Sequence, residues 1–290
     1  MSQQLQITYY YHSGFSVKWE DVLLIFDYWL GEKEELPEDK RITRETLNHF
    51  SKVYVFVSHE HPDHLDPVIF TWQDHPGIRY IYAADLPTDP DRPEGVILAP
   101  GDKADLSDGL TVTAFDSTDL GVSFLVDVAG TNVFHAGDLN FWHWREESTA
   151  AEIELADRDF RNAVEPISHE NVDVAFFPTD PRQGMLFDAG ANYFMLAVKP
   201  KLMIPMHFWM REDIVREYAR ANRCRQTEIL PMTAPGENIL VEMDDEGFMT
   251  VHLAAEMDLA APEQDERIDL GGYEGHDPFI ETDMPVDMGE

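Results

Sequence analysis

Strand-length apolar runs separated by turn residues occupy the first half of the chain. Leu5 to Tyr11, Phe15 to Trp19 and Val22 to Phe26 predict a meander that turns at Ser13-Gly14 and Glu20-Asp21. Val53-Tyr54-Val55-Phe56-Val57 is β-branched or aromatic throughout, the composition of a buried strand. Arg79 to Ala83, Val96 to Leu98, Leu110 to Phe115 and Val122 to Val128 read as further strands, and Ala129-Gly130-Thr131-Asn132 turns the chain into a return strand from Val133 to His135. The period then changes: Ile153, Ala156, Phe160, Ala163, Val164 and Ile167 share one helical face, which predicts a core-facing helix. Shorter helices are expected over Thr43 to Phe50, with Thr43 as cap, from Pro67 to Trp72, over Asn192 to Val198 and over Arg211 to Arg223. Strands are expected at Val172 to Phe177, Leu202 to His207 and Phe248 to Leu253. Beyond Met257 periodicity ends in a Pro-, Gly- and Asp-rich stretch, so residues 1–255 are expected to form one domain and 256–290 an irregular acidic tail. Tyr273, Phe279 and Ile280 would dock that tail on the body or on a neighbouring subunit, which leaves a homo-oligomer open.

Composition narrows the classes. The 290 residues are 43% hydrophobic, enough for a sizeable core, and no apolar run reaches the roughly 20 residues of a membrane span. Met1-Ser2-Gln3-Gln4-Leu5 has no basic and apolar leader, and the single cysteine, Cys224, excludes an internal disulfide and a multi-cysteine metal site; a cytoplasmic location and no membrane partner are expected. Cys224 itself, between Arg223 and Arg225, reads as an ordinary helix residue. A formal charge of -35 repels polyanions, and no basic patch offsets it, so a nucleic-acid partner is not expected.

The candidate chemistry sits directly after the buried strand, where Ser58 to Asp66 reads Ser-His-Glu-His-Pro-Asp-His-Leu-Asp. In extended backbone His59 and His61 project to the same side and reach one cation, whereas Asp63 and His64, beyond the turn at Pro62, aim at a second point. That is the layout of a two-metal site. Imidazole nitrogen and carboxylate oxygen without thiolate suit zinc, iron or manganese and do not form a structural zinc clip.

His-x-His-x-Asp-His after a strand resembles the metallo-β-lactamase superfamily. The stretch His135-Ala136-Gly137-Asp138-Leu139-Asn140-Phe141-Trp142-His143-Trp144 is similar to a poorly characterised branch of it. The resemblance implies an α/β fold, a four-layer αββα sandwich with two mixed sheets face to face. It also implies that Asp138 bridges two metals, that His207 closes the ligand set, and that Asp27 holds a metal-bound histidine from behind. One piece departs from the pattern. Members of the superfamily carry another histidine near the strand preceding the Gly-Asp turn; this chain has Asp116-Ser117-Thr118-Asp119 there. Asp116 or Asp119 would coordinate instead, or the first position is weak.

The activity implied is hydrolysis of a small ester, lactone or phosphoester by hydroxide generated on one or two divalent ions, zinc first, with manganese or iron as alternatives. Asp63 would orient the attacking oxygen, His143 or His12 would protonate the leaving group, and Ser117, Thr118 and Arg182 would contact a small-molecule substrate. A metal-binding protein without turnover, acting as scaffold or sensor, is the competing expectation, and a nuclease is a weaker one.

Overall fold

The computed structural model describes residues 3–107, 109–144, 147–222 and 226–253. The meander forms as expected, as β1 (Gln3–Tyr11), β2 (Gly14–Trp19) and β3 (Val22–Phe26), and continues into β4 (Lys52–Val57), β5 (Ile78–Ala83) and β6 (Gly95–Leu98). The last three run parallel to β3, while β14 (Asn238–Met243) and β15 (Met249–Leu253) join antiparallel beside β1, making a mixed sheet of eight strands. A second mixed sheet contains β7 (Lys103–Ser107), β8 (Leu110–Phe115), β9 (Ser123–Val128), β10 (Thr131–His135), β11 (Val174–Pro178), β12 (Leu202–Met206) and β13 (Glu228–Ile229).

The sheets face each other through aromatic rings. Phe15 stacks on Phe176 at 4.3 Å, Phe26 on His135 at 5.2 Å, and Phe56 meets Phe124 edge-on at 5.4 Å. Because side chains alternate along a strand, the next residues point outward: Phe134 and Phe177 pack on Phe194 of α3 (Ala189–Val198), and Phe177 also on Phe160 of α2 (Ala150–Ile167). On the outer side of the eight-stranded sheet the cover is thin. The one-turn α1 (Arg44–Leu47) sits there beside a 3₁₀ helix, Pro67–Trp72, whose Ile69 carbonyl accepts from Tyr80. The α/β sandwich of two mixed sheets is therefore the fold.

Several expectations are corrected. The helix after the metal loop is 3₁₀, with Asp66 capping Val68 and Pro67 in its first turn, too short for α-helical propagation. The loop after β11 also carries a 3₁₀ helix, Pro181–Leu186. The helix after β12 starts at Glu212 and is α4 (Glu212–Ala221). Strand β7 was not expected because Leu106 is its single buried side chain; an edge strand needs little apolar content to pair. Cys224 and the tail 256–290 lie outside the described residues. Among the described residues no helix is long and apolar enough to cross a membrane.

Candidate metal centre

Parallel strands deliver side chains at one end of both sheets, the arrangement that places ligand sites beyond strand C-termini in α/β folds. Strand β4 ends at the His59 to His64 loop and its parallel neighbour β3 ends at Asp27. In the other sheet β10, β11 and β12 lie parallel and lead to Asp138, Asp180 and His207. The β1–β2 turn adds His12, whose carbonyl accepts from the His207 backbone N–H at 3.2 Å.

Three sets of candidate ligand atoms result: His12, Asp63, His64 and His207; His59, His64 and Asp138; and His61, Asp119 and Asp138, each set within 4.8 Å. The two oxygens of Asp138 divide between them. Oδ1 faces His64 Nε2 at 3.0 Å and His207 Nε2 at 3.3 Å, whereas Oδ2 faces His59 Nε2 at 3.4 Å and His61 Nδ1 at 3.8 Å. Asp63 Oδ2 lies 3.2 Å from His12 Nε2 and 3.7 Å from His207 Nε2. The Nε2 atoms of His12, His64 and His207 and Oδ1 of Asp138 are buried without a well-oriented hydrogen bond. Leaving such atoms unsatisfied costs about 1–3 kcal/mol each, and a shared cation removes that cost, so this donor set fits a divalent metal.

Carboxylates outside the ligand ring fix the imidazoles. Asp27 Oδ2 bonds His64 Nδ1 at 2.7 Å and accepts from Ser58 Oγ at 2.6 Å, and Ser58 Oγ lies 2.9 Å from His59 Nδ1. One carboxylate thus orients ligands of both sets, presenting Nε2 inward. Asp180 does the same for His207, at 2.9 Å from Nδ1. Fully buried His135 completes the support, 3.8 Å from Asp27 and bonded through Nε2 to the Ser13 carbonyl at 2.9 Å.

Electrostatics follow from burial and pairing. Burial lowers the pKa of His12 to about 3, so its ring stays neutral and able to ligate. Burial also opposes charge on His64, but the carboxylates of Asp138 and Asp27 outweigh it and hold His64 well above its usual value. Asp138 is the reverse case: burial raises it, and the charges of His64 and His207 bring it well below the usual carboxylate range. Asp180, despite burial, falls to about 2 through its bonds to His207 and Arg182.

Backbone strain concentrates here. His12, Asp27, His207, Trp209 and Met210 have φ of 55, 40, 62, 47 and 56°. Left-handed non-glycine residues cost of order 1 kcal/mol or more each and persist where surrounding structure enforces them.

The structure thus brings together the candidate ligands His59, His61, Asp63, His64, Asp138 and His207, and Asp119 lies with His61 and Asp138 in the third set. Asp116 is not among them: it is exposed and its carboxylate caps the Ser117 amide at 3.0 Å. His12 belongs with the ligand atoms, and its lowered pKa does not fit the proton-donor role expected of it. His143 does not line the cavity over the ligands; it packs on Phe141 at 4.8 Å and lines an adjoining cavity. Thr118 lines the main cavity, but its hydroxyl donates to the Asn140 carbonyl at 2.5 Å and accepts from its amide at 2.9 Å. Ser117 is outside the lining and accepts from Asp119 N at 3.5 Å. Arg182 lines the cavity and is paired with Asp180. Sequence reasoning missed the ligand position of His12 and the role of Asp180 in holding His207. The second had a signal: Asp180 and His207 each follow the C-terminus of neighbouring parallel strands in register, Pro178 beside Met206.

Solved structures with this fold include Igni18, a metallo hydrolase from the hyperthermophilic archaeon Ignicoccus hospitalis, with TM-score 0.59, 18% identity and coverage of 83% of this chain and 100% of that one. The metallo-beta-lactamase fold protein YhfI from Bacillus subtilis aligns with TM-score 0.55 and 13% identity over 83% and 99% of the two chains. CmlA, a diiron beta-hydroxylase from Streptomyces venezuelae, aligns with TM-score 0.51 and 11% identity over 83% of this chain and 54% of its own. No curated protein matches in sequence. Residues 26–208, from the end of β3 to just past His207, match the profile described as the Beta-lactamase superfamily domain, and with the metallo-β-lactamase fold and a His/Asp cluster in place the chain belongs to that family.

Proposed function

We propose that the chain is a metal-dependent hydrolase of a small ester, lactone or phosphoester. The observation that carries this reading is the division of Asp138, one oxygen toward buried His64 and His207 and the other toward buried His59 and the partly exposed His61. Divalent ions held there supply Lewis acidity, polarising a carbonyl or phosphoryl oxygen and bringing the pKa of water from 15.7 toward about 7. The protein's own groups do the rest. Asp63, one-fifth exposed, lines the cavity and orients the attacking oxygen. Asp27 and Asp180 hold His64 and His207 in place, so no ligand has to reorganise during turnover. Zinc suits the nitrogen-rich set, and Asp119 in place of an imidazole moves the outer position toward manganese or iron.

A second reading, metal binding without turnover, is favoured by one observation: the outer set depends on exposed Asp119 and half-exposed His61. Metal analysis combined with lactone, thioester, phosphodiester and amide substrates separates the two. Turnover that disappears in His64→Ala and Asp138→Ala supports the hydrolase. Stoichiometric metal with no turnover on any of these substrates supports the scaffold, and failure to load metal at micromolar concentration removes both.

A further inference from the structure

The metal centre opens into a cavity of about 580 Å³ whose walls differ in chemistry. Its lining is polar at His61, Thr118 and the carboxylates of Glu32, Asp63, Asp119 and Asp138, and aromatic at Trp29, Trp142, Trp144 and Trp209, four of the six tryptophans in the chain. Hydrogen bonds fix two of these rings, Trp142 Nε1 to the Asp138 carbonyl at 2.7 Å and Trp209 Nε1 to Asp180 at 3.2 Å. Their rings add apolar surface to the lining. Trp142 and Trp144 stack on each other, with ring centres 5.9 Å apart and planes within 11° of parallel, so the pair presents one rigid aromatic surface.

Arg182 lies in the same wall, its guanidinium 4.7 Å from the centre of the Trp209 ring and 5.7 Å from that of Trp144. Nε and Nη2 donate to Asp180, which turns one edge of the fork inward and leaves Nη1 on the side away from it; the side chain is 50% exposed. Through Asp180 the guanidinium is two hydrogen bonds from His207, one short molecule away from the ligands. A second cavity of about 630 Å³ shares Trp144 and Arg182 with the first, so the subsite is open at its far end.

We propose that Arg182 and the tryptophan wall form a subsite for the non-reacting part of the substrate, a flat aromatic group ending in a carboxylate. The assignment rests on the hydrolase reading for the scissile bond alone. With the Nε edge taken by Asp180, Nη1 and the second N–H of Nη2 remain to donate end-on to a carboxylate, a pairing that an ammonium or a neutral group makes less well. A cationic group is disfavoured because Arg182 already occupies the faces of Trp144 and Trp209. Of the lining carboxylates Asp63, Asp119 and Asp138 belong to the candidate ligand sets, where a bound cation would offset their charge, and charges farther than about 8 Å are largely screened at physiological ionic strength.

The test is calorimetric binding to the zinc-loaded protein of 3-phenylpropanoate, its neutral amide and propanoate, read without turnover. The aryl carboxylate is expected to bind at least about tenfold more tightly than either control. Arg182→Gln should erase its advantage over the amide, and Trp144→Ala its advantage over propanoate, each compared at full zinc occupancy verified by metal analysis, because Arg182 also bonds the Asp180 that holds His207. A carboxylate seated on the metal instead would keep its advantage in Arg182→Gln. That result overturns the proposal, as do equal affinities for the three compounds or no saturation up to about 10 mM. Discriminating binding by a protein that hydrolyses nothing leaves the subsite and removes the hydrolase; hydrolysis with indiscriminate binding does the opposite.

Discussion

At the scale of single residues, Asp27 is the most consequential side chain that does not face the metal. It holds His64 directly and His59 through Ser58, so one substitution loosens ligands of both sets. Asp27→Asn keeps the shape but removes the charge and one acceptor, and metal affinity should fall about 10–100-fold in a competition titration with a chromophoric chelator. Proton competition gives a second prediction. In the metal-free protein the carboxylates of Asp138 and Asp27 favour the protonated form of His64, and a metal on Nε2 has to displace a proton there. Because the folded pKa is raised, the competing proton is present below that value and lost above it. Affinity therefore rises with pH until that proton is lost. Titration in buffers of different ionisation enthalpy should show about one proton released per metal bound.

Elements set how closely the loops approach the centre. The β8–β9 connection lies against the metal loop: Val122 N donates to the Ser58 carbonyl at 3.1 Å, and a Cβ on Gly121, at φ 76°, would stand 1.8 Å from that oxygen. Gly130 in the β9–β10 turn has φ 99° and open space around it. The pair separates two costs. Gly130→Ala should lose about 1–2 kcal/mol of stability from backbone strain alone and keep its metal. Gly121→Ala adds a clash with backbone and should lose more stability, together with metal, measured by urea denaturation and metal content. A result with both variants equally destabilised and equally loaded would show that the loop approach is not tight.

The whole molecule is two sheets whose joint end is closed by charge. Phe15, Phe26, Phe56, Phe124 and Phe176 pack between the sheets along the strands, and the polar side chains of His12, Asp63, His64, Asp138 and His207 gather at their joint end. Those residues come from both sheets, so a bound ion joins the two halves. Chelation should lower the melting temperature, and restoring metal at a thousand times its dissociation constant should return about 4 kcal/mol, with a midpoint that rises as free metal rises. An unchanged midpoint after complete metal removal would mean that the sheets hold together without it.

The sequence by itself determined the strands of the meander, β4 and the long helix α2, and raised the candidate ligands of the His59 to His64 loop, because alternation, helical period and a His-x-His-x-Asp-His spacing are local properties of the chain. It also placed Asp27 behind a histidine and raised Asp119 as a substitute ligand. Tertiary structure decided what locality does not carry. His12 reads as a candidate proton donor until the β1–β2 hairpin of one sheet meets the His207 loop of the other, 195 positions along the chain, and its ring joins the candidate ligand atoms. Asp116 and Asp119 are equivalent in the sequence, and loop geometry alone turned one toward Asp138 and the other toward its own backbone. The tryptophan wall is likewise assembled from segments ending at Trp29, Trp142 and Trp209. The physical reason is common to all three: ligation and cavity walls depend on distances across the interface of two sheets, and those distances are fixed by packing of the whole core, not by neighbours in the chain.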